Sequence, residues 1–155
     1  MLYEELIEYK GYIYLTSIYE PQDNKLILEI ERCKVNDEAE GIQVGDVVIE
    51  DCHSIDVDQT LPILQIEFDW YIAYSVRNES FTILDEYEVF EGGVFSIYSK
   101  SRYLDFIEVS TIASDDHPGP FKHYGINALN HIIDVVSTEP PTISFINRTV
   151  QKEEV

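Results

Sequence analysis

Apolar and polar residues alternate with a period of two through most of this chain, and no other feature constrains its fold as strongly. "GYIYLTSIY" (11–19) and "KLILEIERC" (25–33) flank "EPQDN", whose Pro and Asp-Asn suit a turn, so the pair reads as an opening hairpin. "GDVVIED" (45–51), "LPILQIEFD" (61–69) and "WYIAYSVRN" (70–78) continue the pattern. "SFTILDE" (80–86) and "YEVFEGGVFSIYS" (87–99) follow, the second folding back at Glu91-Gly92-Gly93. "PTISFIN" (141–147) closes the series. Successive side chains on a strand point to opposite faces, so each segment can bury one row and offer the other to water. Turn signals at intervals of about 8–12 residues predict a mainly β fold. The expected form is an antiparallel β-sandwich or barrel of about nine or ten short strands, with room for one or two short helices.

Two segments satisfy both periodicities. In "INALNHIIDVVS" (126–137), Ile126, Leu129, Ile132, Ile133 and Val136 make a helical stripe, whereas the β-branched run Ile-Ile-Asp-Val-Val favours a strand. "SKSRYLDFI" (99–107) could open as a helix capped by Ser101, yet "YLDFIEVSTIA" (103–113) alternates like a strand. Their β surroundings favour strands for both. Neither a repeat nor a linker divides the sequence, so residues 1–155 are expected to form a single domain, with a frayed tail at 150–155.

Charge narrows the partners. Ten basic residues stand against 30 acidic ones in 155, a net charge of -20, which disfavours nucleic acid and anionic membranes and attracts basic proteins. The acids concentrate early. Residues 37–58 hold eight acids and residues 79–93 hold five, neither with a Lys or Arg. Each stretch is either a solvated side of the fold or a negative recognition surface. No run approaches the ~18 apolar residues of a membrane span, and "MLYEELIEYK" lacks the features of a secretory signal. Cys33 and Cys52 read as reduced thiols in a cytoplasmic protein.

Three of the four histidines, His117, His123 and His131, fall within "SDDHPGPFKHYGINALNHIIDVV" (114–136). His123 and His131 would stand ~26 Å apart on a straight strand or ~12 Å apart on a helix, too far to share an ion. Cys52 and His53, being adjacent, would point to opposite strand faces. No metal or other cofactor is expected. Nucleophile elbows, phosphate loops and dinucleotide fingerprints are absent from the sequence. Cys52, His123 and Asp134 could be drawn as a triad, but the spacing does not single them out. The histidines are therefore assigned structural roles. Arg77, the only Lys or Arg between Lys34 and Lys100, reads as a charge-paired residue tying neighbouring strands.

"FSIYSKSRYLDFI", "HPGPFKHYGI" and "LNHIIDVVSTEPPTI" resemble a widespread family of small uncharacterised bacterial proteins that often occur near polymorphic toxin genes and are regarded as immunity proteins. The resemblance spans roughly residues 71–143. It implies a bacterial protein with a toxin as partner and carries no catalytic motif. An acidic inhibitor can occupy a cleft built for phosphates. The hairpin with Asp85, Glu86, Tyr87, Glu88, Phe90 and Glu91 supplies carboxylates for steering and aromatics for anchoring, and is the expected partner-binding site. The expected function is non-enzymatic binding of a basic toxin. One rival is a carbohydrate- or small-molecule-binding sandwich using Trp70, Tyr71, Tyr74 and Tyr98. Another is a hydrolase or metalloenzyme using His117, His123 and Asp134. Exposed sheet edges would also permit a homo-oligomer.

Overall fold

The computed structural model describes residues 1–148, and the tail expected to fray lies outside them. Among the described residues, ten strands form two five-stranded antiparallel sheets, a β-sandwich. The short helix α1 (Tyr3–Leu6) precedes them. In the first sheet β1 (Tyr12–Gln22), β2 (Lys25–Val44), β4 (Ile63–Phe68) and β10 (Thr142–Ile146) lie side by side, and β3 (Val47–Val57) pairs with β2. The second sheet has the order β5 (Tyr71–Asn78), β9 (His131–Ser137), β8 (Lys122–Asn127), β7 (Phe95–Lys100) and β6 (Val89–Gly92).

Alternation explains what each sheet buries. Leu26, Leu28 and Ile30 of β2 sit beside Leu64, Ile66 and Phe68 of β4, all at most 1% exposed. They meet Phe95, Tyr124, Ile126, Ile133 and Val135 from the second sheet in one apolar core. Tyr3 pins α1 into it, edge-on to Phe95 and Tyr124, with its hydroxyl donating to the Gly125 carbonyl at 2.7 Å. Gly125 is there because the opposite face of its strand is crowded. A Cβ would lie 2.6 Å from both Ser96 Oγ and Tyr98 Cε2. Gly125→Ala is expected to cost about 1–3 kcal/mol through overpacking, read as a lower urea midpoint at unchanged m.

Three expectations change. Residues 103–113 do not form a strand: α2 spans Arg102–Ser110, and Ser101 is its N-cap, with Oγ accepting from the Leu104 N–H at 3.0 Å. That cap satisfies one of the orphan donors of the first turn, and Ile107 drops fully buried onto the second sheet. Residues 80–86 are not a strand either. Asn78 ends β5 by accepting from Ser80 N, a 3-10 turn covers Glu79–Phe81, and the chain then runs without sheet partners. Finally, the segments 25–33 and 45–51 belong to two strands, β2 and β3, that are both longer than expected. β2 is 20 residues long, and from Lys34 onward it pairs with β3 alone. By contrast 122–127 and 131–137 are strands, joined by a turn that ends at Asn130.

Candidate functional site

The outer face of the second sheet carries a buried polar chain. His123 on β8 and Asp134 on β9 are 1% and 4% exposed, and His123 Nε2 lies 2.8 Å from Asp134 Oδ1. On the other side of the ring Nδ1 lies 2.8 Å from Ser101 Oγ. Donor counting fixes a consistent direction. The carboxylate can only accept, so Nε2 carries a proton; with the ring neutral, Nδ1 accepts from the Ser101 hydroxyl, whose oxygen takes the Leu104 N–H. Asp134 Oδ2 accepts from Arg77 at 3.1 Å, so Arg77 ties β5 to β9 as its isolation among acids implied. Tyr98 stacks on the imidazole at 4.2 Å between centroids, and Tyr103 meets it edge-on at 5.5 Å. Burial pushes the Tyr103 phenol up to about 12, with the Asp134 charge adding to the shift.

Ser, His and Asp thus converge without forming an accessible nucleophile. Ser101 is fully buried, and its Oγ is committed to a helix cap and to the ring. No substrate carbonyl can approach that oxygen. The chain instead fastens α2 to the sheet. Cys52 plays no part in it, since its thiol points back to the Ile49 carbonyl on β3, in the other sheet. His117 lies in the loop after α2, its N–H bonded to Ser114. Among the described residues, no three His, Cys, Asp or Glu side chains gather where a metal could be held.

The expected partner-binding residues sit at the edge of this sheet and are partly engaged inside the molecule. Asp85 accepts from Arg102 Nε at 3.0 Å, and that guanidinium holds its carboxyl below the usual carboxylate range. Tyr87 donates to Asp105 at 2.6 Å, while Lys100 and Arg102 lie over its ring at 3.9 and 3.8 Å from the centroid. Phe90 packs on Tyr98, 5.0 Å between centroids. Glu86, Glu88 and Glu91 keep no cationic partner among the described residues. Beside them Phe81, Ile83 and Leu84 are 84%, 79% and 100% exposed, and Ile83 and Phe106 line a cleft of about 330 Å³ that Arg77 and Arg102 also border. The assumed strand over 80–86 hid these apolar residues, because half of them would then face a core.

The second acidic stretch, 37–58, becomes a two-stranded ribbon. From Lys34 to the tip it runs about ten residues, roughly 30 Å at the usual strand rise. Val44 pairs with Val47 around a two-residue turn whose Gly45 has φ 62°, the left-handed value a tight hairpin needs. Ile42 pairs with Ile49, two residues from Val44 and Val47, so all four aliphatic side chains share one face. They are 50%, 59%, 63% and 49% exposed in the order Ile42, Val44, Val47, Ile49. Asp37, Glu38, Glu40, Asp46, Glu50, Asp51 and Asp56 lie along the same ribbon, all exposed and none in an ion pair among the described residues. Two irregularities in the pairing shape the ribbon. His53, the fourth histidine, bonds the Asn36 carbonyl at 2.7 Å across the first of them, and Asp51 at φ 60° lies in the second.

The four aromatics proposed for a sugar groove do not assemble. Tyr71 and Tyr74 pack edge-on against each other beside the core, Tyr98 is stacked on His123, and Trp70 is 57% exposed on the turn before β5. No described helix is long and apolar enough to cross a membrane. No family model, curated protein or solved structure matches the chain.

Proposed function

We propose that this protein is a non-enzymatic binding protein that captures a basic protein partner, as an immunity protein captures a toxin. The ribbon carries the reading: seven exposed carboxylates, none in an ion pair among the described residues, share with four exposed aliphatic side chains an arm that stands clear of the paired sheet. Such an arm would insert its aliphatic face between apolar walls while the carboxylates meet Lys and Arg at the rim. Charges at the rim set the speed of encounter, and the desolvated apolar centre sets the lifetime. The surface formed by residues 79–91 adds a second contact, with Ile83 and Leu84 as the apolar part and Glu86, Glu88 and Glu91 as the charged part.

The test is association with the product of the flanking gene, which this reading requires to be basic, followed by stopped flow at two salt concentrations. Glu40→Lys/Glu50→Lys is expected to slow association about tenfold at low salt, with the difference shrinking at high salt. Val44→Asp/Val47→Asp is expected to speed dissociation at least as much. Glu86→Lys/Glu88→Lys reports separately on the second contact. Unchanged rates for all three double variants would reject the reading.

A further inference from the structure

A second cleft opens between the two sheets, on the side where α1 meets them. Leu6 and Tyr9 form one wall, Phe95 comes from the second sheet, and Leu64, Phe145 and Arg32 come from the first. Its volume is about 290 Å³, near the lower end for small-molecule sites. Leu6, Leu64 and Phe95 are 7%, 1% and 1% exposed, so the floor is dry and apolar. Arg32 belongs to the inward-facing row of β2 that includes Leu26, Leu28 and Ile30, a position where a charge is costly.

Arg32 is anomalous for this chain. The other described arginines each hold a carboxylate: Arg77 has Asp134, Arg102 has Asp85 and Arg148 has Glu31. Among the described residues Arg32 has none, although the protein holds 30 acids. Its Nε is shielded from solvent with no acceptor in reach, and its Nη2 has only the Pro62 carbonyl at 3.4 Å. Phe145, 45% exposed, lies with its ring centroid 5.3 Å from the guanidinium carbon. Nε and Nη2 form the side-on edge of the guanidinium, the edge that binds a carboxylate through two parallel N–H···O bonds.

We propose that this cleft binds a small monocarboxylate with an apolar body, such as an aryl-alkanoate or a medium-chain fatty acid. The carboxylate would take the side-on edge of Arg32, reached by a turn of the exposed Phe145 ring. The apolar body would lie against Leu6, Leu64 and Phe95. The surroundings select for a single charge. Glu5 and Glu8 stand at the cleft, and Glu5 already accepts the Leu2 N–H at 2.5 Å. At physiological salt the distant carboxylates are screened beyond ~8 Å, but those two remain close enough to oppose a dianion. The site is independent of the protein-binding surfaces, whose residues it does not share.

The experiment titrates the full chain with 3-phenylpropionate and, separately, with its neutral isostere 3-phenylpropanol, following the Phe and Leu side-chain resonances and the Arg32 Nε–H by NMR. The acid is expected to saturate with shifts at the cleft and to bind at least about tenfold more tightly than the alcohol, because only the carboxylate can take both N–H groups of the side-on edge. Arg32→Gln is expected to erase that margin while leaving weak alcohol binding. Because the comparison between acid and alcohol needs no variant, a poorly folding Arg32→Gln would not obscure the outcome. Equal affinity for the two compounds, shifts elsewhere on the molecule, or no saturable binding of the acid would each overturn the proposal. Tighter binding of phenylsuccinate, a dianion, would overturn the selection for a single charge.

Discussion

Asp134→Ala is expected to destabilise the protein by about 3 kcal/mol, toward the lower end for removing one partner of a buried charged network. Thermal unfolding would then come about 10 °C earlier for a chain of this size. The cost has two parts of unequal size. Arg77 is 51% exposed and regains water when its partner goes, so its share is small. His123 cannot do the same. Its ring is 1% exposed, clamped between Ser101 and Tyr98, and its Nε2–H would be left without an acceptor in a space now missing a carboxylate. Arg77→Ala should therefore cost only about 1 kcal/mol. The ratio between the two variants, measured by urea unfolding, is the informative quantity. Equal losses would mean that the surface pair, and not the buried bond to His123, carries the stability of this network.

That network shows where sequence reasoning reached and where it stopped. The two-residue period placed Leu26, Leu28, Ile30, Leu64 and Ile66 on the fully buried face and Glu29, Gln65 and Glu67 on the half-buried one, because a strand needs only alternation to declare its faces. Alternation failed at 103–113, where the same residues also fit a helix. Ser101 decided the matter by capping at the backbone level, and its signal was present in the sequence. It also failed at 80–86. There the alternation is real, but Asn78 turns the chain out of the sheet, and no strand is left to pair with. Hydrophobicity alone cannot report whether a partner edge exists.

The sites were legible to different depths. Acidity over 37–58 and 79–93 pointed to two surfaces, yet composition could not foresee that Asp85 and Tyr87 would be claimed by Arg102, Asp105 and Lys100, while the exposed carboxylates of the ribbon would form no ion pair among the described residues. His123 and Asp134 are eleven residues apart, and their meeting depends on the β8–β9 register, in which Gly125 faces Asp134 and leaves room beside it. Arg32 carried a faint signal. It falls on the inward parity of "KLILEIERC", a charge on the apolar row, and parity alone marks it as a residue to explain.

Alkaline pH is expected to unfold this protein earlier than it would a sandwich with an aliphatic core. Eleven tyrosines are present, and several lie where a phenolate cannot be solvated. Burial raises Tyr3 well above the ordinary phenol range and Tyr124 to about 12, with Glu4 and Glu139 adding to the latter. Burial and the Asp134 charge also raise Tyr98, and hold Tyr103 at about 12. In the unfolded chain these phenols ionise near 10. Below that pH both states are protonated, and the groups have no effect on the balance. Above it the unfolded state loses protons that the folded state keeps, so stability falls as pH rises, by up to ~1.4 kcal/mol per pH unit for each phenol that stays protonated. Tyr3 and Tyr124, each 1% exposed, contribute most, and the partly exposed Tyr103 less. Together they should remove about 2–4 kcal/mol by pH 11. Urea midpoints should hold steady up to about pH 10 and then drop, with the buried phenols' share of the tyrosinate absorbance appearing only with unfolding. Tyr3→Phe separates the causes. It should be less stable near neutrality by about 1 kcal/mol, because the Gly125 carbonyl loses its donor, and it should lose stability less steeply above pH 10. A parent protein whose midpoint stays level to pH 12 would show that the buried phenols do not resist ionisation in the fold.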